Sequence, residues 1–370
     1  IMTTHVFIVN EETFPLHLKY MFAGTGAGDL SVDFNGSTDN NKVEKNLVSM
    51  LTDAARVRKD DKIIFYCTGT FGKGHFYGVF KAKDRCFIDA KSEATPELSK
   101  KLTFRVLLEP DEVYAQGVTE WEALDSLEGV EKPCDILWSL IYRKLDGNRG
   151  NTMITPAESE RLISMIRAKN DNTRVAFSQF SYDKECKVIT EGEQSLYNSE
   201  FSAPIDIKCK LIHTHYAYEA FLQTYIAQSI DIDKNLKELF LEGKKLGWLG
   251  NEVMCGVGMR RIDILLLTTN LDTHQTILAP IELKACTIYP EITDQIERYI
   301  LWIKQYFQPT PTIIEPAIIV RKTSRKTKRY FESIDALKKF NKMQGIRIRY
   351  LAYQVEDNDL HFEEIDYETE

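Results

Sequence analysis

At 370 residues, 43% hydrophobic and 28% charged, with 19 Gly and 11 Pro, the chain has a globular composition with room for two domains. It is neither a small disulfide-held module nor a chain disordered throughout. A net charge of -8 at pH 7 argues against a protein that coats nucleic acid by bulk attraction, while local basic patches stay open.

No apolar stretch approaches the roughly 18 residues that a membrane span needs. The opening IMTTHVFIVNEETF lacks the basic region and apolar core of a secretory signal, so a cytoplasmic protein with no membrane partner is expected. The seven cysteines are scattered, odd in number and never spaced C-x-x-C, which fits reduced thiols rather than a zinc knuckle or disulfide framework.

In chain order, short β-like runs come first: HVFIVN from His5, DKIIFYCTG from Asp61, HFYGVFKAKD from His75 and LTFRVLLEP from Leu102. Their β-branched and aromatic content, bounded by Gly, Asp and Pro, predicts the strands of a small barrel or curled sheet. A helical segment is expected over Lys42–Ala55. The GTGAG run from Gly24 to Gly28 lies in no βαβ unit and is taken as a turn rather than a dinucleotide loop. Thr155-Pro156-Ala157-Glu158 is an N-cap, a first-turn Pro and a capping-box Glu ahead of the stripe Leu162, Ile163, Ile166, so a helix starts there.

Residues from Asp171 to about Ser202 are polar and irregular and suggest a linker or hairpin-bearing connection. Domain boundaries of 1–169 and 206–370 with a linker over 170–205 follow. The second half predicts a helix over Tyr218–Ile230, a strand ending VMCGVGMRRIDILLL from Val253, and a strand ILAPIELKA from Ile277. A helix from Glu291 carries the stripe Ile292, Ile296, Ile300, Ile303, Phe307, and a strand PAIIVRK follows from Pro316. That order implies an α/β core with a mixed sheet.

Two acids and a lysine stand where adjacent strands would bring them together: Asp263 in RRIDILLL, then Glu282 and Lys284 in PIELKA. Residues two apart on a strand share a face, and charges inside apolar strands need a partner because unpaired burial is expensive. Carboxylates at Asp263 and Glu282 suit Mg²⁺, for which Mn²⁺ would substitute, while Lys284 suits orientation of water or stabilisation of a phosphoryl oxyanion. Asp60/Lys62, Glu185/Lys187, Asp206/Lys208 and Glu242/Lys244 satisfy acid-x-Lys as well, with Asp206 the serious competitor.

Glu219, Asp263, Glu282-x-Lys284 and Gln295-x-x-x-Tyr299 resemble, in order and spacing, the motifs of the PD-(D/E)XK nuclease superfamily, especially its RecB-like branch and the catalytic domain of NucS-type mismatch endonucleases. The likeness covers Leu211 to Lys322, nearly a third of the chain. It implies a restriction-endonuclease-like mixed sheet flanked by helices, with Asp263 and Glu282 as metal ligands, Lys284 as the catalytic lysine and Glu219 as an accessory acid. It also implies that Gln295 and Tyr299 support the site or touch substrate backbone. Met259-Arg260-Arg261 departs from the pattern by an extra arginine, so Arg260 and Arg261 both stand as phosphate contacts. Glu219 and Gln295 as solvated helix residues, and Tyr299 as core, are the competing readings.

VRKTSRKTKRY brings Arg321, Lys322, Arg325 and Lys326 together with Lys328 and Arg329, a local phosphate-neutralising footprint or else a solvated loop. The acidic residues Glu363, Glu364, Asp366, Glu368 and Glu370 are taken as plain surface charge. DKIIFYCTGTFGKGHFYGVFKAKD resembles a PUA-like barrel, the superfamily of EVE, ASCH and YTH domains, which implies an α+β amino-terminal domain that receives a base or binds nucleic acid. Tyr66, Phe71, His75 and Tyr77 are then pocket candidates, with core packing as the alternative. Arg143, Lys144 and Arg149 around an Asp-Gly-Asn turn suit phosphate or guanine contact, or form an ordinary turn.

The expected protein is a Mg²⁺-dependent, restriction-type endonuclease acting as a homodimer on double-stranded DNA. A mismatch- or structure-specific repair nuclease and a non-catalytic nucleic-acid-binding protein are the alternatives, with RNA also open as substrate.

Overall fold

The computed structural model describes residues 2–26, 50–69, 74–89, 93–99, 101–125, 129–141, 150–200, 202–208, 219–256 and 260–369. The chain divides into two compact units, 2–205 and 206–370. Both mix helices with sheets, and no described helix is long and apolar enough to cross a membrane.

In the first unit the strands are β1 (Thr4–Asn10), β2 (Phe22–Thr25), β3 (Lys62–Thr68), β4 (His75–Ala82), β5 (Phe87–Ile88), β6 (Phe104–Pro110), β7 (Val118–Thr119), β8 (Asn151–Ile154), β9 (Phe180–Asp183), β10 (Val188–Glu191) and β11 (Ala203–Pro204). The helices are α1 (Phe14–Tyr20), α2 (Glu120–Leu124) and α3 (Pro156–Lys169). The main sheet runs β11-β5-β6-β4-β3-β1-β8, with β2 on β6 and β7 on β4. Among the described residues only β1 and β3 run parallel within it.

Alternation along the strands sends side chains to two cores. Phe7, Val9, Phe65 and Phe80 join one with Phe14, and Val6, Ile64 and Val79 join the other under Leu162, Ile163 and Ile166 of α3. The Thr155 cap forms as its residues dictate: its hydroxyl accepts from the Glu158 amide, and Glu158 accepts from the Thr155 amide at 2.8 Å.

Three expectations change here. Of the two readings of residues 170–205, the hairpin is present and the linker is not: β9 and β10 pair and drive Phe180, Tyr182 and Ile189 into the first core, and β11 extends the sheet. Apolar side chains at alternate positions within a polar stretch were enough to dock it. Gly24 and Thr25 belong to β2 rather than to a turn, paired with Arg105 and Phe104. Of the predicted Lys42–Ala55 helix, residues 50–55 are helical and the rest lies outside the described residues.

The second unit adds α4 (Glu219–Ser229), α5 (Lys234–Leu241), α6 (Ile292–Tyr306) and α7 (Lys328–Gln344). Its strands are β12 (Lys244–Met254), β13 (Arg261–Asn270), β14 (Thr276–Lys284), β15 (Ile313–Ile314), β16 (Ala317–Arg321), β17 (Arg349–Glu356) and β18 (Asp359–Glu364). The sheet order is β12-β13-β14-β16-β17-β18, with β15 also on β14. β12, β13 and β14 form an antiparallel meander, β14, β16 and β17 run parallel, and β18 returns antiparallel.

The parallel centre reads as continuous apolar sequence because both of its faces are covered: Ala317, Ile318, Ile319 and Val320 of β16 are all buried. The α6 stripe Ile292, Ile296, Ile300, Ile303 and Phe307 is buried as its spacing requires, each side chain adding about 1.5–3 kcal/mol of transfer free energy. Of the acidic residues near the end of the chain, Glu364 is held in partly buried ion pairs rather than standing as plain surface charge. Glu364 lies on β18 and accepts from Arg347 at 2.9 Å and from Arg349 at 2.7 Å, and Glu363 pairs with Lys322 at 2.5 Å.

Candidate active site

The β13–β14 ladder has its last pair at Ile264 and Ile281, so Asp263 and Glu282 stand just past it. There the Asp263 side chain reaches across, and its Oδ2 accepts the Leu283 amide at 2.8 Å. Glu282 and Lys284 leave one face of β14, and Lys284 donates to Glu282 Oε1. From α6, Gln295 Nε2 donates to Glu282 Oε1 at 2.8 Å and Tyr299 donates to Glu282 Oε2 at 2.7 Å. Gln295 and Tyr299, one helical turn apart, also contact each other at 2.7 Å. From α4, Glu219 Oε1 lies 3.9 Å from the Lys284 ammonium. All six catalytic candidates therefore meet at one end of the sheet.

Glu282 is 1% exposed, a carboxylate buried only because three side chains hydrogen-bond to it. The electrostatics follow from that crowding. Burial and the neighbouring Glu282 charge push the Asp263 carboxyl well above its usual range. Burial also raises Glu219, partly opposed by Lys284. For Lys284 burial works against the charge, yet Glu282, Glu219 and Asp263 together outweigh it and raise its pKa. Tyr299 is held as a neutral phenol by burial and by Glu282.

Among the described residues no three His, Cys, Asp or Glu side chains gather at metal-binding separations. The fit to a cation rests on fewer groups. Asp263 and Glu282 supply hard oxygen ligands, and Asp263 Oδ1 takes no hydrogen bond among the described residues. Mg²⁺ asks for one or two carboxylates, with water and substrate oxygens completing its shell, so the donor set fits.

Two residues that sequence reasoning missed belong here. Gln223, four residues after Glu219 on α4, donates to the Asp263 backbone carbonyl at 2.8 Å; its helical spacing from Glu219 was a usable signal. Tyr289 donates to Gln295 Oε1 at 3.4 Å and comes from the loop between β14 and α6, where no periodicity marks it. The buried Cys255 thiol, pushed up to about 12 by burial and then by the Glu282 charge, is no nucleophile.

The phosphate-contact candidates separate. Arg321, Lys322, Arg325 and Lys326 are exposed at the end of β16 and beyond it, Lys322 in an ion pair with Glu363 at 2.5 Å. Val320 pairs with Lys284, which puts this basic run at the same end of the sheet as the carboxylates. Arg260 is exposed, whereas Arg261 is committed to Glu252 at 3.0 Å and its carbonyl oxygen lies 2.9 Å from the Tyr299 hydroxyl. The Glu252 pair makes Arg261 the less available of the two arginines for a phosphate. Among the competing pairs, Asp206 caps a turn at the Lys208 amide and Lys208 pairs with Asp359 at 2.5 Å. Lys244 is engaged by Glu315 at 2.6 Å.

In the first unit Tyr66 donates to Glu120 at 2.5 Å and packs on Phe76. His75 is partly exposed and stacks on Tyr77 at 5.9 Å. Tyr77 is fully buried and donates to the Lys187 carbonyl at 2.8 Å, so it is core rather than a base contact. Phe71, Arg143, Lys144 and Arg149 lie outside the described residues.

No protein-family model matches the chain, and no curated protein matches it. Among solved structures, human THYN1 in complex with 5-methylcytosine-containing DNA aligns with 44% of this chain and 96% of its own length, at 10% identity and a TM-score of 0.28. A likeness that weak assigns no fold and no ligand.

Proposed function

We propose that the chain is a Mg²⁺-dependent endodeoxyribonuclease of restriction type. Its second unit would be a PD-(D/E)XK-like hydrolase, and its first a PUA-like module that selects a sequence or modified base. The observation that carries the reading is the convergence of Asp263, Glu282 and Lys284 at one sheet end, with Gln295 and Tyr299 bonded to Glu282, beside the basic run from Arg321.

Asp263 and Glu282 would hold the cation, which when bound lowers the pKa of water and neutralises phosphate charge. Lys284, cationic across the physiological range, donates to a phosphate oxygen and stabilises the negative charge that develops there. Gln295 and Tyr299 fix the Glu282 carboxylate so that its geometry survives substrate binding. Arg321, Lys322, Arg325 and Lys326 neutralise backbone phosphates and give a net acidic chain a local nucleic-acid surface. Cutting both strands calls for two such centres, hence a homodimer.

The test incubates the protein with unmodified, cytosine-methylated and mismatched duplexes and with RNA in Mg²⁺, then maps the fragment ends. Lys284→Ala is expected to abolish cleavage with little loss of binding. Cutting by Lys284→Ala at the wild-type rate would overturn the assignment, and binding without cutting by the wild type would identify a non-catalytic nucleic-acid-binding protein.

A further inference from the structure

Lys284 stands between two carboxylates. It hydrogen-bonds to Glu282 Oε1, while Glu219 Oε1 waits 3.9 Å away. The two partners differ in kind, since the Glu282 side chain is 1% exposed and that of Glu219 is 44% exposed. Glu282 takes the hydrogen bond and Glu219 only a long ion pair, so the ammonium is seated on the buried acid and a small shift would seat it on the more exposed one. A flexible four-carbon stem with three donors can serve either acid, so the acid-x-Lys spacing does not choose between them.

Tyr289 supplies the choice. Its hydroxyl donates to Gln295 Oε1 at 3.4 Å, and the Lys284 ammonium lies 6.0 Å from its ring centre. The Arg329 guanidinium, paired with Glu291 at 3.9 Å, lies 6.0 Å from the same ring centre. Gln295 passes the constraint on. A carboxamide has one accepting and one donating end, and the Tyr289 hydroxyl on Oε1 turns Nε2 toward Glu282 and Tyr299. Tyr289, Gln295, Glu282 and Lys284 thus form a circuit of side chains in which each fixes the next.

We propose that Tyr289 is a positioning residue that keeps the Lys284 ammonium on Glu282 and away from Glu219. Its catalytic consequence rests on the hydrolase reading above; its geometric content does not.

The experiment reads Lys284 directly in the full chain. Amine acylation by a limiting reagent is followed by peptide mass spectrometry, with the 92% exposed Lys234 as internal reference. Tyr289 is partly exposed and Tyr289→Phe retains the ring, so the fold is kept. In that variant Lys284 labelling is expected to rise roughly fivefold, the population change that one hydrogen bond carries. In Tyr289→Phe with Glu219→Gln it should return toward the wild-type value, because the competing carboxylate is gone. Unchanged labelling in Tyr289→Phe, or no recovery in the double variant, overturns the proposal. The same cycle in turnover should show kcat reduced at constant KM in Tyr289→Phe and no further loss when Glu219→Gln is already present. A wild type that cleaves nothing removes the hydrolase reading and leaves the labelling result to decide the role of Tyr289.

Discussion

Tyr299→Phe isolates one atom of the candidate site. The hydroxyl lies 2.7 Å from Glu282 Oε2, 2.7 Å from Gln295 Nε2 and 2.9 Å from the Arg261 carbonyl. The residue is 1% exposed, so solvent does not replace what is removed. Phe fills the same space and adds no cavity, which leaves the hydrogen bonds as the whole change. A bond to a buried charged acceptor is worth about 1.5–3 kcal/mol, and the second unit should lose roughly 2 kcal/mol. Chemical denaturation followed by hydrogen exchange in the β13 and β14 peptides reads that loss without interference from the first unit. With Glu282→Gln already present, the acceptor is neutral and the added cost of Tyr299→Phe should drop to about 1 kcal/mol or less. A Tyr299→Phe variant within about 0.5 kcal/mol of wild type would refute the placement, as that is the range of a surface substitution.

Three other perturbations bear on the rest of the molecule. His17 is buried and its pKa is lowered to about 4, chiefly by burial. The unfolded chain therefore takes up a proton that the folded chain refuses, and stability should fall as pH drops from about 6.5 toward 4, by at most roughly 3 kcal/mol; His17→Gln should flatten that slope in denaturant titrations. Asp263 titrates in the opposite sense. Its folded pKa lies above the ordinary 3.8, so the second unit loses stability as pH rises from 3.8 through the folded value. Asp263→Asn should remove that loss and also abolish the Mg²⁺-induced rise in Tm; a retained metal shift would exclude Asp263 as a ligand. Replacing Arg325 and Lys326 by Gln should lower the slope of log K against log salt for duplex DNA by about 0.9 per phosphate contact removed. An unchanged slope would assign the run to solvent.

The candidate site residues of the second unit were legible because their physics is local. Charges inside apolar strands at Asp263, Glu282 and Lys284, and a turn's spacing between Gln295 and Tyr299, carry their meaning in residue type and period. The α3 cap was legible for the same reason, since Thr155, Pro156 and Glu158 act within one turn of helix.

What escaped depends on partners distant along the chain. Glu364 looked like surface charge until β18 laid it against Arg347 and Arg349. Arg260 and Arg261 were equivalent in sequence, and Glu252 on the neighbouring strand separates them. Residues 170–205 looked like a connection until Phe180, Tyr182 and Ile189 found a core built by residues from 7 to 113. By itself the sequence determined which side chains carry acidic, basic and phosphate-binding groups and several of the segments that form strands or helices, because residue type and spacing fix chemistry and periodicity. Only the tertiary structure decided which carboxylates share a site, that Tyr289 and Gln223 join it, and which basic residues stay exposed. Those outcomes are set by sheet order and burial, which arise from contacts that no local pattern encodes.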